Sequence, residues 1–526
     1  MRYIYSIIKA DYLQRTRSYS FLITLAITIY AAYSFVPPPT ASYTTLNVVG
    51  YKGVYNSAWV GNVSAMMTTV MLSLYGFFLV TGGIKKDIDT EVGLIVATTP
   101  ISNFGYLLSK FLSNFVVLVT IMGCTFVVSI AMFFVRSSGY PFIISSFIVP
   151  FLVLSLPALL LVSAIALIGE VFLGRRSLLQ YIMFVFLFGA MMAHTNGEKN
   201  DTIAVITDPF GLRTMVTSIK TLVNNTYHTH IDSVSFGFTF NRKAGFKTFE
   251  WNGVVWTNIF LLSRLLWVAV SVGLVYLSSF FFHRFDFKQP LSRKKKKTDT
   301  VTDVAETAPL TRTGFSVALL PQITANYSII PFIKTELLLL VRKGSKWFWL
   351  ISAGGWISML FVPLTIAHLY ILPILWFLQV TRLSELSTKE KTNRLHYFTY
   401  ASYKPLQRML PAQIIAGVLL SIALALPLMA RYAFALNGYA MFNILNGAVF
   451  IVFVAVCLGI VSGGKKLFEI LFFLLTYIVT QSAKPADYLG AMQHDSTLLY
   501  VAVMLGLNVF LLTVSFMVRS YQARHL

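Results

Sequence analysis

Charge is what this chain has least of. Only 12% of its 526 residues are charged, and acids are the scarcer sign, with 20 Asp and Glu against 42 Lys and Arg. A soluble domain carries about 25% charged residues, so an ordinary soluble enzyme is excluded. Cysteine is rarer still. Cys124 and Cys457 lie singly inside apolar runs, which rules out a disulfide framework, a CxxC pair and a Cys/His zinc spacing. His228-Thr229-His230 alternates as a strand-borne metal pair does, but no third ligand accompanies it, and surface histidines are the plainer reading. A phosphate-cradling loop is missing too. The stretch from Gly459 to Lys466 approaches GxxxxGK[ST], but Lys466 stands where a hydroxyl would hold magnesium, and an apolar run rather than a strand precedes it. No HExxH occurs. The chain therefore carries no catalytic or metal constellation, needs no cofactor of its own, and any energy source lies elsewhere.

Apolar residues fill the space that charge leaves. They make up 56% of the chain, 15% is aromatic, and the mean hydropathy is +0.71. Runs of about 20 apolar residues, each long enough to cross a bilayer, recur from end to end. They fall at 19–36, 59–83, 106–135, 143–173, 177–194 and 254–282, and again at 347–363, 366–381, 411–430, 440–462, 467–482 and 498–518. The expected fold is an all-α polytopic membrane protein of about 12 spans. Pro157 predicts a kink in the fourth span. An even number of spans puts both termini on one side. Placing the N-terminus in the cytoplasm leaves most of the 42 Lys and Arg on inside segments, including Arg175/Arg176, Lys465/Lys466 and the run Arg293 to Lys297. The net charge of +22 is thus a topology signal, directed at membrane lipids and not at nucleic acid.

The chain repeats itself. Ile8-Lys9, Asp11, Leu13, Arg17 and Ser20 are echoed at a constant offset by Ile333-Lys334, Glu336, Leu338, Arg342 and Ser345. The second copy sits mid-chain, so the first is not a signal peptide. Both read as amphipathic helices on the cytoplasmic interface that turn into a span. Two halves of six spans follow, 1–283 and 331–526, joined by a polar, basic linker at 284–330. The outer loop 195–253 is long and contains the alternating stretch Val234 to Phe240, which predicts a small external cap.

Two cytoplasmic loops are more than connectors. After the second span, Gly82-Gly83 opens a segment through Asp87, Ile88, Asp89, Glu91, Val92, Gly93 and Ile95 to Thr99-Pro100-Ile101-Ser102. The spacing predicts one short helix that starts in acids and stops before Pro100. Its apolar Ile88, Val92 and Ile95, flanked by acids, suit a groove on another protein. The matching second-half loop runs from Glu385 through Glu390, Arg394 and Leu395 to Tyr403; it lacks the Gly and the Pro-Ile-Ser ending, and is basic where the first is acidic.

The order interfacial helix, span, outer loop, span, then the acidic loop ending in Thr99-Pro100-Ile101-Ser102 resembles the membrane subunit of ABC transporters of the type-2 permease class. The resemblance implies that 84–102 contains a coupling helix docking on a cytoplasmic ATP-binding cassette dimer, which supplies ATP and magnesium. It implies two permease halves fused in one chain, a bacterial inner membrane and export of cargo. Asp208-Pro209-Phe210-Gly211 and Ser263-Arg264-Leu265-Leu266-Trp267 resemble a pattern in large bacterial permeases of that class, with Ser263 where the family has Asn. Arg264, inside the sixth span, is a candidate for the substrate path or for structural anchoring. Apolar, aromatic-rich spans suit a hydrophobic or amphipathic cargo. The competing expectation is a gradient-driven secondary transporter of two six-span halves. Against it, Glu170 and Glu469 lie near the cytoplasmic span ends beside Arg175/Arg176 and Lys465/Lys466, where local charge pairing accounts for them.

Overall fold

The computed structural model describes residues 2–38, 41, 43–48, 51–137, 139–174, 176–193, 202–228, 234–240, 247–282, 328–343, 346–480, 487–492 and 498–525. The central linker up to residue 327, the Arg293 to Lys297 run, Arg175 and His230 lie outside them.

Helices dominate, as the hydropathy predicts. The first half runs α1 (Arg2–Thr16), α2 (Tyr19–Ser34), α3 (Ser57–Val80), α4 (Gly83–Asp89), α5 (Val92–Ala97), α6 (Asn103–Arg136), α7 (Ser145–Pro150), α8 (Leu156–Leu173) and α9 (Ser177–Ala193). The outer segment adds α10 (Thr202–Thr207) and α11 (Leu212–Tyr227), and α12 (Asn258–Phe281) closes the half. The second half runs α13 (Ile330–Arg342), α14 (Lys346–Phe361), α15 (Leu364–Ile366), α16 (Leu372–Phe377), α17 (Val380–Leu383), α18 (Lys389–Thr392), α19 (His396–Tyr400), α20 (Pro405–Phe434), α21 (Gly438–Ser462), α22 (Lys466–Thr480) and α23 (Leu498–Arg524).

Each apolar run falls on helix, but not every helix is a full span. Among the described residues, 7 helices are long and apolar enough to cross a membrane, fewer than the sequence leads one to expect. The runs at 19–36, 177–194, 347–363, 366–381 and 467–482 fold as shorter helices, such as Tyr19–Ser34 and Ser177–Ala193. At 1.5 Å per residue, 16 helical residues reach about 24 Å, short of the roughly 30 Å hydrocarbon layer.

Proline sets two breaks. A π-helical turn, Phe151–Ser155, joins α7 to α8 just ahead of Pro157, and another, Ala367–Ile371, joins α15 to α16 just ahead of Pro373. A proline ring clashes with the carbonyl four residues back and offers no N–H. The helix widens by one residue there, so the irregularity lies just before Pro157.

Packing reproduces the repeat. The interfacial helix rests on the third apolar helix in both halves, α1 on α6 and α13 on α20, and the last helix rests on the fourth, α12 on α8 and α23 on α21. The halves meet by exchanging equivalent elements: α3 lies against α22, and α9 against α17. The seam is aromatic. Phe78 of α3 lies 4.2 Å from Phe473 of α22 across the seam, backed within its own half by Tyr181 at 4.8 Å and by Phe77 stacked on Phe184 at 3.9 Å.

The expected cap is a sheet built from two loops at one end of the bundle. β1 (Tyr43–Val48) and β2 (Tyr51–Gly53) come from the first loop, and β3 (Val234–Phe240) and β4 (Lys247–Phe249) from the third. The strand order is β3-β1-β2-β4, with β1 antiparallel to β3 and β2 parallel to β4. The alternation at Val234 to Phe240 marks β3; the strands at 43–53 were not anticipated, being short and interrupted. Trp59 of α3 meets Phe249 and Trp251 edge-on, so the sheet is seated on the helical core.

Candidate functional site: two loops at the basic end

One end of the bundle carries the sheet; the other carries Lys85, Lys86, Arg176, Lys465 and Lys466, and is called here the basic end. The first loop folds as two short helices instead of one. Gly82 takes the left-handed conformation (φ 101°) and opens α4, while Glu91 takes it again (φ 60°) and opens α5. The acids therefore sit at the break, not in a first turn. Helical phase does not cross that break, so Ile88 packs inward with Val96, Ala97 and Ile101, whereas Val92 (43% exposed), Leu94 (49%) and Ile95 (68%) face out. Gly93 is buried, and Asp89, Glu91 and Pro100 are exposed.

Asp87 is not a docking acid on the surface. Its Oδ2 accepts from Tyr106 Oη at 2.7 Å and lies 2.7 Å from Lys110 Nζ, which also reaches Asp11 Oδ2 at 2.8 Å. One buried lysine thus ties the interfacial helix, the loop and the third apolar helix together. The mouth of α4 is held as firmly. Glu170 at the end of α8 accepts from the N–H groups of Gly82 (2.6 Å), Gly83 (3.1 Å) and Ile84 (2.7 Å). A carboxylate on a helix N-terminus is favoured both as a cap and by the dipole. The carboxylate thus holds backbone at the loop mouth, a partner not expected from the sequence; Arg175, one of its expected neighbours, lies outside the described residues.

The second loop is arranged likewise. Glu390 is buried, accepting from Gln413 with Arg519 3.7 Å away, and burial pushes its carboxyl up. Arg394, with φ 56°, and Leu395 are exposed, as are Tyr397 and Phe398. Lys389 pairs with Glu336 of the interfacial helix, the residue that echoes Asp11. Glu385 lies between Lys343 and Lys465; burial alone would raise its carboxyl, but the two ammonium groups outweigh that and hold it below its ordinary value. A cavity of ≈ 10 Å³ beside Glu390, Tyr400, Gln413 and Arg519 is room for about one water.

Arg264 has a structural post. It is 4% exposed; its guanidinium donates to the carbonyls of Asp208 and Pro209 (3.1 Å) and to Ser263 Oγ (2.8 Å). The Asp208 carboxylate in turn accepts from Phe210 N (3.0 Å) and Arg213 N (2.8 Å), and Gly211 turns left-handed, φ 74°. The second half repeats this turn, which the sequence reading passed over. Asp487 accepts from Leu489 N (3.1 Å) and Met492 N (2.8 Å), Gly490 has φ 69°, and Tyr500 Oη donates to the Asp487 carbonyl at 2.8 Å. Asp208-x-Phe-Gly and Asp487-x-Leu-Gly were the legible signal.

Among the described residues, no group of three or more His, Cys, Asp or Glu is placed to hold a metal ion. The chain matches no family model, no curated protein and no solved structure.

Proposed function

We propose that this chain is the membrane-spanning permease of an ABC transporter of the type-2 class, with two six-span halves fused and both termini in the cytoplasm of a bacterial cell. A separate ATP-binding cassette dimer hydrolyses ATP, and the chain exports a hydrophobic or amphipathic cargo. One observation carries the reading. Two loops at equivalent places in the repeat turn apolar side chains outward, Val92, Leu94 and Ile95 in one and Leu395, Tyr397 and Phe398 in the other. Each loop is tied to the helix that opens its half: Asp87 of the first shares Lys110 of α6 with Asp11, and Lys389 of the second pairs with Glu336. A surface that is apolar outside and pinned inside can take a push and pass it to the helices behind.

The test is co-purification with a P-loop ATPase encoded beside this chain. Val92→Asp with Ile95→Asp is expected to cut recovery of the ATPase at least tenfold, with the permease folded and inserted. Asp87→Arg is unsuitable for this purpose, because it breaks the Lys110 tie and lowers the folded yield. Cargo movement by the chain alone on a proton or sodium gradient overturns the proposal in favour of secondary transport.

A further inference from the structure

At the basic end the aromatic seam gives way to three polar side chains. Tyr181 at the start of α9 is fully buried and donates to Glu469 Oε2 at 2.6 Å; Lys466 Nζ reaches the same phenol at 2.8 Å and Glu469 at 3.4 Å. Tyr181 belongs to the first half, Lys466 and Glu469 to the second. Directly beyond them stand Phe78 and Phe473.

Both loops grip this cluster. From the first loop, Lys85 Nζ lies 3.4 Å from Ser177 Oγ, one turn before Tyr181, and a side-chain carbon at Gly82 would sit 3.6 Å from Lys466 Cε. From the second, Ser384 Oγ lies 3.5 Å from Glu469 Oε1, and Glu385 pairs with Lys465 at 2.5 Å. Each loop therefore reaches a helix that carries the cluster, the first holding α9 through Lys85 and leaving at Gly82 only the room of one carbon beside Lys466 of the other half.

We infer that Tyr181, Glu469 and Lys466 are the latch that holds the two halves together at the basic end, and that displacement of either loop releases it. The phenol–carboxylate bond is strong where water is absent and weak once water enters. A shift of α4 moves the wall against which Lys466 rests; a shift of the segment at Ser384 removes a contact from Glu469. Release exposes Phe78 and Phe473 to water from that end. The inference rests on the proposed function only in naming what moves the loops; the latch itself belongs to this chain.

The experiment needs no ATPase. In a background with Cys124→Ser and Cys457→Ser, Phe473→Cys reports the seam behind the latch, and Phe188→Cys, buried farther along α9 against Phe184 and Phe210, reports the packing toward the sheet, in protein reconstituted in nanodiscs. The readout is the rate of labelling by a water-soluble maleimide. Tyr181→Phe, which removes only the hydroxyl, and Tyr181→Phe with Glu469→Gln are expected to raise labelling at 473 at least tenfold and leave 188 unchanged. Lys85→Ala with Ser384→Ala is expected to raise it by a smaller factor. Unchanged labelling at 473 overturns the latch, and so does an equal rise at 188, which marks general loosening. Success here with no ATPase recovered in the co-purification leaves the latch standing and the transporter class fallen.

Discussion

Arg264 was legible in the sequence as a guanidinium within an apolar run, with substrate path and structural anchoring both open to it. A guanidinium in an apolar run invites a substrate, but both terminal nitrogens of this one donate within the protein, to two carbonyls and a hydroxyl. Arg264→Ala leaves those carbonyls buried without a donor, at a cost on the order of 3 kcal/mol, and should lower the melting temperature whether or not cargo is present. Gly211→Ala and Gly490→Ala should each destabilise by roughly 1–3 kcal/mol, since both positions are left-handed and an added carbon would meet Arg264 or Asn443. Glu385 makes a pH prediction. Its folded pKa lies below the ordinary 4.5, so its stabilisation is present above that value and is lost as pH falls through the folded one. Thermal melts of Glu385→Gln should therefore fall below the parent at neutral pH and converge with it in acid. Apart from the adjacent Ser263, these partners could not be read from local sequence, because they join residues dozens of positions apart.

At the scale of elements, periodicity located the helices, and it failed where the backbone changed hand. The segment 84–97 has the composition of one amphipathic helix, yet a left-handed residue at Glu91 divides it and sends Ile88 and Ile95 to opposite sides. Nothing in a Thr-Glu dipeptide announces that break; the tether of Asp87 to Lys110 and the cap from Glu170 impose it from outside. Glu170→Gln keeps the shape of the cap and removes its charge, a loss of about 1 kcal/mol. Amide hydrogen exchange at 82–89 should quicken several-fold, with the middle of α3 unaffected. Equal quickening in both would show that Glu170 supports the whole span. The prolines were better guides: two π-helical turns lie at the same distance ahead of Pro157 and Pro373, though the sequence pointed only to the first.

Across the whole molecule, the tandem repeat was visible in six residues in and just after the helix that opens each half, and the packing of α1 on α6 and α13 on α20 follows it. The way the halves join was not visible, since aromatic residues look the same whether they face lipid or one another. Phe78→Ala should cost about 3–5 kcal/mol and loosen the union of the halves more than an equivalent change on a lipid face such as Phe186, which is 76% exposed. Co-expression of the two halves as separate chains, followed by capture of one through the other in mild detergent, measures that union directly. The four-stranded sheet has a consequence at this scale. It stitches the loop between α2 and α3 to the loop before α12, while strands among the described residues occur only in the first half. Those strands brace one rim like a hoop, so a mouth on that side would gape by the second half swinging away from a stationary jamb.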